Sequence, residues 1–300
     1  MNDPGHSTKP YLWMLVGSFA FAWMSLLAHA LGDRVAWQYV ALARSAIALV
    51  FIAVLVLANR VRAVWFRPAR LWTRSIAGSL SMLCAFYALT RLPSSVVIPV
   101  CNTYPVWVAV LAWPMNKSVP SGRVWVAIAF AVCGVFLLEN PEGVPENPTA
   151  LLAAVAAAVL SGVALLGLNR LKDIDGRAVV MHFSGVAVVF CLLAFWLFED
   201  VPGPGSVADS GSIALALGVG LSATVGQLFL TRAFTLGDPA RVAVVGLTQV
   251  PIGLFFDVTV FGQTVGASSL IGIAMIALPT AWVMIEGKTD RPVPPTGESA

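Results

Sequence analysis

The chain has 300 residues, of which 58% are hydrophobic and only 11% are charged, and its net charge is +3. Soluble domains carry about 25% charged residues, so this composition excludes an ordinary soluble domain and indicates a lipid bilayer as the surrounding medium. The small net charge argues against nucleic acid as a partner. Because the apolar runs continue for about 20 residues, they predict an all-α membrane protein and not a barrel of short alternating strands.

Ten apolar runs of helical length follow one another along the chain. We predict that the transmembrane helices span residues 11–31, 35–58, 72–91, 94–115, 122–139, 149–169, 178–199, 211–234, 239–261 and 266–286. Turn signals such as Asp175-Gly176 and Gly237-Asp238-Pro239 separate neighbouring runs. Because the number of spans is even, both termini lie on the same side of the membrane.

The positive charges predict which side that is. Lysine and arginine gather in cytoplasmic loops of membrane proteins. With a cytoplasmic N-terminus, the predicted inside segments hold 15 of the 18 basic residues, Arg74 among them. The outside segments hold Arg34 and Arg91, and Arg44 lies within the second span. This asymmetry favours cytoplasmic tails at residues 1–10 and 287–300.

Two segments of the chain repeat each other, RLPSSVVIPVCNTYPVW from Arg91 and GDPARVAVVGLTQVPIG from Gly237. Three matches share an offset of 146 residues: Pro93 with Pro239, Pro105 with Pro251, and Asn102-Thr103 with Thr248-Gln249. A weaker match around Ser45 and Ser184 has an offset of 139. These matches predict two five-helix repeats, 11–139 and 149–286, joined by an outside linker at 140–148. Since five is odd, the second repeat is inverted in the membrane.

The fourth and ninth spans are unusual because each contains prolines and an amide. Proline frees a backbone carbonyl, which a membrane helix tolerates only against protein or a water-filled cavity. Inverted-repeat transporters commonly place their substrate site near the midplane, at such interrupted helices. Asn102 and Gln249 are therefore predicted to face a central cavity. The alternative is that they hydrogen-bond a neighbouring helix and stabilise packing.

Three segments resemble the EamA family of the drug/metabolite transporter superfamily. They are WQYVALARSAIA from Trp37, AFYALTRLPSSVV from Ala85 and LTRAFTLGDPARVA from Leu230. Arg44 fits the arginine that this family tends to place in helix two. The chain departs from the family where relatives often carry a Gly-Glu pair, because Asn116-Lys117 and Gly262-Gln263 stand there.

The resemblance implies a secondary transporter of a small organic metabolite, such as an amino acid or a related compound, that works by alternating access. An importer of a nucleoside-like or vitamin-like solute such as S-adenosylmethionine or riboflavin is an alternative, and a passive channel is another. We predict no enzymatic activity, since HExxH is absent and His182 and Ser184 point about 200° apart on a helix. We also expect no metal or cofactor, because the four cysteines form no CxxC pair.

Amides, hydroxyls and aromatic rings inside the spans are the candidates for binding the solute. They are Trp23, Tyr87, Asn102, Tyr104, Gln227, Thr248 and Gln249. The aromatic rings can stack on a flat or cationic solute, and the polar groups can hydrogen-bond it. The aromatic residues have a second interpretation, in which they pack between helices or face the lipid interface.

Four ionisable residues are candidates for gating or proton coupling: Arg44, Asp257, His29 and His182. Arg44 lies about 13 Å along helix two, where an arginine costs at least about 2.5 kcal/mol. It either binds a substrate carboxylate, acts in gating or anchors the structure through backbone carbonyls. Proton coupling and facilitated diffusion both remain open. Glycines and alanines in helices five and ten are candidates for a homodimer interface.

Overall fold

The computed structural model describes residues 8–32, 35–66, 68–141, 147–197, 209–262 and 264–286. Most of the predicted linker 140–148, most of the N-terminal tail 1–10 and all of the C-terminal tail 287–300 lie outside these ranges. The described chain is helical, with α1 (Lys9–Gly32), α2 (Trp37–Ala58), α3 (Ala69–Leu89), α4 (Ser94–Cys101), α5 (Tyr104–Asn116), α6 (Gly122–Glu139), α7 (Pro148–Asn169), α8 (Gly176–Leu197), α9 (Ser210–Leu236), α10 (Pro239–Gly246), α11 (Gln249–Phe261) and α12 (Ala267–Glu286).

Spans four and nine are each broken into two helices, so the twelve described helices form ten spans. The fourth span is α4 followed by α5, and the ninth is α10 followed by α11. Pro105 and Pro251 have no N–H, so neither can bond to the carbonyl four residues earlier. At each break a threonine hydroxyl, of Thr103 or Thr248, donates to a carbonyl three residues back at 2.7 Å. Proline and threonine together explain why both helices stop and restart.

The two breaks match each other at an offset of 145 residues, one less than the predicted 146. Ser94 corresponds to Pro239 and Tyr104 to Gln249 at the starts of the half-helices. The ends agree as well, because Lys117 and Gly262 both cap their helices with positive φ, 56° and 67°. The predicted register followed the prolines, but Pro105 and Pro251 occupy different positions in their half-helices. The equivalent residue of Gln249 is therefore Tyr104 and not Asn102 or Thr103.

Nine of the ten described spans are long and apolar enough to cross a membrane. The exception is α3, whose polar residues turn inward. Arg74, Ser75, Ser79 and Ser81 are all buried in the bundle. Large apolar side chains cover the outer surface, with Leu57, Leu152 and Leu278 among the most exposed. Because exposed apolar surface of this extent belongs in lipid, the chain is a multi-pass integral membrane protein.

The helices of the two repeats contact each other reciprocally. α1 packs against α9 as α7 packs against α3, and α11 packs against α1 as α5 packs against α7. The equivalent helices α2 and α8 also pair, as do α6 and α12. Exchanging the repeats therefore reproduces the packing, which is the arrangement expected of two related five-helix units.

One glycine of the fifth span, Gly134, and one of the tenth, Gly272, pack against each other's helix within the chain. A Cβ added to Gly134 would lie 2.8 Å from the Gly272 carbonyl oxygen, and one added to Gly272 would lie 2.7 Å from the Gly134 carbonyl oxygen. These two residues let α6 and α12 approach closely, so they serve the fold of a single chain. A homodimer remains a prediction.

Candidate functional site

A cavity of about 350 Å³ lies between the two repeats. Its walls come from the first repeat through α1 to α5 and from the second through α7, α8, α9 and α11. Phe21, Met82 and Phe86 are among its apolar lining residues. The volume falls within the range of about 300–1,000 Å³ found for small-molecule sites. The cavity is thus large enough for a small metabolite and is built by both halves of the chain.

Four of the predicted site residues line this cavity: Arg44, Tyr104, Gln227 and Gln249. Tyr104 and Gln249 are the first residues after the two breaks, so the breaks bring equivalent positions to the same space. The Tyr104 hydroxyl donates to the Ala243 carbonyl in α10 at 3.1 Å. A Cβ on Gly246 would collide with this hydroxyl, so a larger residue there would force the Tyr104 side chain to move.

The other candidates for solute binding lie outside the described cavity lining. The Asn102 side-chain amide donates to the Ile98 carbonyl of its own helix at 2.9 Å. Thr248 caps the second break through its hydroxyl. Trp23 is 41% exposed and packs edge-on against Phe256, with ring centroids 5.2 Å apart. These side chains have structural partners where the sequence predicted solute contacts.

Tyr87 is likewise absent from the lining, although its neighbour Phe86 is part of it. The guanidinium of Arg91 lies over the Tyr87 ring, 3.9 Å from the centroid, at the C-terminal end of α3. This cation–π contact occupies one face of the ring. The structure therefore supplies Tyr87 with a protein partner at the end of α3.

His182 is buried and bonded at both ring nitrogens. Nδ1 lies 2.7 Å from the Ser75 hydroxyl and Nε2 lies 3.0 Å from the Trp65 carbonyl oxygen. The Trp72 ring packs edge-on against the imidazole, with centroids 4.8 Å apart. These contacts join α8, α3 and the loop between α2 and α3. These contacts adjoin the cavity, because Arg74 and Phe183, the sequence neighbours of Ser75 and His182, line it.

Asp257 and His29 lie away from the described lining, near enough to each other for their charges to interact. Asp257 is half-buried in α11 and His29 is exposed in the last turn of α1. The structure therefore brings together two residues that the sequence considered separately. Their role in proton coupling remains a prediction, as does that of His182.

Arg74 was not among the predicted site residues, because its position in the sequence placed it with the cytoplasmic charges. The structure places it inside the bundle, 3% exposed, where it lines the cavity. Its Nη2 donates to Oε1 of Gln227 at 3.1 Å, and its guanidinium carbon lies 4.3 Å from the centroid of the Phe183 ring. A signal for this position existed, because polar residues recur with helical spacing along α3 from Arg74 to Ser81.

Arg44 supplies a second guanidinium to the cavity from α2. Its Nη1 donates to Sδ of Met82 at 2.8 Å. The lining also includes the hydroxyls of Ser81 and Ser161, which bond to each other at 2.8 Å. Polar groups of several kinds thus converge within mainly apolar walls, which is the usual composition of a small-molecule site.

Comparison with known proteins agrees with this architecture. The model of the EamA-like transporter family matches residues 8–139 and 148–285. A crystal structure superposes on the chain with a TM-score of 0.80 at 16% identity, covering 93% of this chain and 98% of that one. At this level of identity the superposition establishes a shared fold.

Relatives in three organisms are transporters by name. The pseudopaline exporter CntI of Pseudomonas aeruginosa is 24% identical, over 89% of this chain and 94% of its own. An uncharacterized transporter of Helicobacter pylori is 22% identical, over 68% of this chain and 69% of its own. Solute carrier family 35 member G1 of Mus musculus is 22% identical, over 64% of this chain and 55% of its own. Since the family model matches both five-helix units, the chain belongs to the EamA-like transporter family.

Proposed function

We propose that this protein is a secondary transporter that moves a small organic metabolite across the cytoplasmic membrane by alternating access. The observation that carries the proposal is the central cavity, to which both repeats and both broken helices contribute. Amino acids and related compounds are the first solutes to test. Nucleoside-like and vitamin-like solutes are the second group, and import and export are both compatible with this site.

The cavity-lining residues of α3 become more exposed from its N-terminal to its C-terminal end, which supports a cavity that is open at one end only. Arg74 at one end is buried, Ala85 is half-buried and Leu89 at the other end is exposed. This gradient of exposure supports an opening of the cavity toward the C-terminal end of α3. If the N-terminus is cytoplasmic, as the charge distribution predicts, this end faces outward.

The contacts of His182 with Ser75 and Trp65 lie beside the buried end of the cavity. Alternating access requires this end to open while the Leu89 end closes. A passive channel has no such requirement, since it needs a continuous path. A cavity buried at one end favours the transporter over the channel.

Transport by purified protein in lipid vesicles tests the proposal. We expect saturable uptake that unlabelled solute competes, measured over a panel of amino acids, nucleosides and vitamins. A second series with an imposed pH gradient measures proton coupling, because a coupled transporter accumulates solute in response to the gradient. Flux proportional to concentration, without competition or counter-transport, would instead establish a channel.

A matched pair of substitutions links transport to the cavity. Ala85→Trp adds a large ring to the lining of α3 and should abolish uptake. Ile76→Trp adds the same ring on the exposed face of the same helix and should leave uptake unchanged. Both variants must extract as folded protein of normal thermal stability. Equal uptake by Ala85→Trp and wild-type protein would separate transport from this cavity.

A further inference from the structure

The charge of the cavity is unbalanced. Arg44 and Arg74 both line it, whereas the described lining contains no aspartate or glutamate. The two positive charges lie close enough to repel each other. Neither arginine belongs to an ion pair within the described ranges. Cations held together away from water without a counter-charge are costly, so the free protein carries an uncompensated charge at this place.

The two arginines also keep unused hydrogen-bond donors. A guanidinium has five N–H donors in a planar fork. The Nε atoms of Arg44 and Arg74 are buried, and neither has a hydrogen-bond partner in the described structure. The one acceptor found for Arg44 is the Met82 sulfur, which accepts weakly. Both arginines therefore have N–H donors in the cavity for which the described residues provide no acceptor.

The surrounding residues hold these groups in place. Gln227 accepts from Arg74 and lines a second, small pocket together with Arg44 and Phe183. Phe183 supports the Arg74 guanidinium from one side. Gly78 leaves room for both groups, since a Cβ there would collide with Nη1 of Arg74 and lie 3.0 Å from the Phe183 ring. The two arginines and Gln227 form an arginine cluster, in which Gln227 and Phe183 already hold Arg74 in place.

We propose that the cavity binds an organic anion, whose carboxylate or phosphate group lies at the arginine cluster. Arginine binds both groups through paired charge-assisted hydrogen bonds. The apolar part of the anion would pack against Phe21 and Phe86, which line the same space. Cations are disfavoured because the described lining offers them no carboxylate. This inference depends on the proposed function in one respect, since it assumes that the bound anion is also the transported solute.

Ligand-dependent thermal stability of the purified full-length protein tests binding without requiring transport. Three probes that share the leucine side chain differ in charge: N-acetyl-L-leucine is an anion, N-acetyl-L-leucinamide is neutral and of nearly the same size, and L-leucinamide is a smaller cation. A ligand that binds the native state raises the Tm by an amount that grows with the ratio of its concentration to its Kd. We expect the anion to raise the Tm and the other two to have no effect. Equal stabilisation by the neutral amide or by the cation would overturn the proposal.

Two phosphate probes distinguish a phosphate group from a carboxylate at the arginine cluster. Phenyl phosphate and inorganic phosphate are added in the same assay, and stabilisation by phenyl phosphate alone would assign a phosphate ester with an apolar body. Stabilisation by N-acetyl-L-leucine alone would assign a carboxylate. No stabilisation by any of these anions would contradict an anion site.

Substitution of the arginines locates the site. Arg74→Gln and Arg44→Gln should each weaken anion binding by about tenfold or more, because each removes a charge-assisted hydrogen bond. Arg74→Lys and Arg44→Lys keep the charge and should retain part of the affinity. Arg70→Gln is the matched control, since Arg70 lies one turn earlier on α3 and is exposed. Unchanged affinity in both Gln variants would overturn the proposal.

The two proposals fail in different ways. Anion binding at the arginine cluster without saturable flux in vesicles would contradict transport and support the anion site. Saturable flux of neutral or cationic solutes, with no anion binding, would support transport and contradict the anion site. The probe series on wild-type protein gives this answer even if Arg74→Gln does not fold.

Discussion

The two broken helices have the same backbone but different side chains. Each consists of an eight-residue half-helix, a two-residue break and a thirteen-residue half-helix that ends in a left-handed cap. Tyr104 stands after the first break and Gln249 after the second, and both reach the cavity. Cys101 before the first break corresponds to Gly246 before the second. The repeat thus preserves the geometry that builds a site, while substitution at equivalent positions gives the site two chemically different walls.

The largest effect is expected at the last residue before each break. Gly246→Val places a branched side chain against the Tyr104 hydroxyl and should destabilise the protein by about 1–3 kcal/mol, as overpacking usually does. Cys101→Val, at the equivalent position of the first repeat, should cost less because a side chain already fits there. Thermal unfolding in detergent measures both.

The Tyr104→Phe background tests the cause of that cost. The colliding atom is the hydroxyl oxygen, so Gly246→Ala should be better tolerated in Tyr104→Phe than in wild-type protein. An equal cost in both backgrounds would show that another contact, such as Met14, limits this position.

A smaller effect is expected from removing the side-chain amide of each broken span and measuring transport. Gln249→Ala removes a polar group from the cavity lining and should raise the KM for the solute about tenfold, equivalent to one lost hydrogen bond of about 1.4 kcal/mol. Asn102→Ala removes a bond to the Ile98 carbonyl of its own helix and should change the KM less than twofold.

Competition of labelled uptake in vesicles gives both constants, and Asn59→Ala at the exposed end of α2 controls for loss of an amide elsewhere. A larger change in Asn102→Ala than in Gln249→Ala would restore the role that the sequence predicted for Asn102.

The smallest effect concerns the caps that precede the half-helices. Asp238 accepts from the Arg241 N–H at 2.9 Å and caps α10, whereas the equivalent Pro93 provides no side-chain cap for α4. Asp238→Ala should therefore lower stability by about 1 kcal/mol. Pro93→Asp should raise it by no more than that amount if the cap forms. Thermal unfolding of the two variants measures whether capping contributes differently in the two repeats. An unchanged Tm in Asp238→Ala would exclude a stabilising cap at α10.

Much of the fold was predictable, because each span carries its own apolar run. The predicted ten spans correspond to the ten spans of the structure, and the predicted breaks in spans four and nine are present. The register between the repeats was less predictable. Prolines provided the most visible matches, but Pro105 is the second residue of α5 and Pro251 the third of α11. One residue of error was enough to pair Asn102 with the wrong partner.

The candidate site was predictable only in part. Arg44 and Gln249 lie in apolar runs, where a polar residue is conspicuous, and both line the cavity. Arg74 lies near the start of α3, four residues after the exposed Arg70. From the sequence alone, Arg74 resembles the cytoplasmic arginines that precede it. Helix α3 begins three residues earlier than predicted, and its packing against α7 and α8 buries Arg74.

The sequence by itself determined the solvent, the number of spans and the two interrupted helices, because hydropathy, proline and turn residues act locally along the chain. Tertiary structure decided which polar residues share the cavity, since that depends on helix rotation and on contacts between residues far apart in sequence. Arg74 meets Gln227 across 153 positions, and Tyr104 meets Ala243 across 139. Such contacts form when two repeats pack together, and no local pattern in either repeat specifies them.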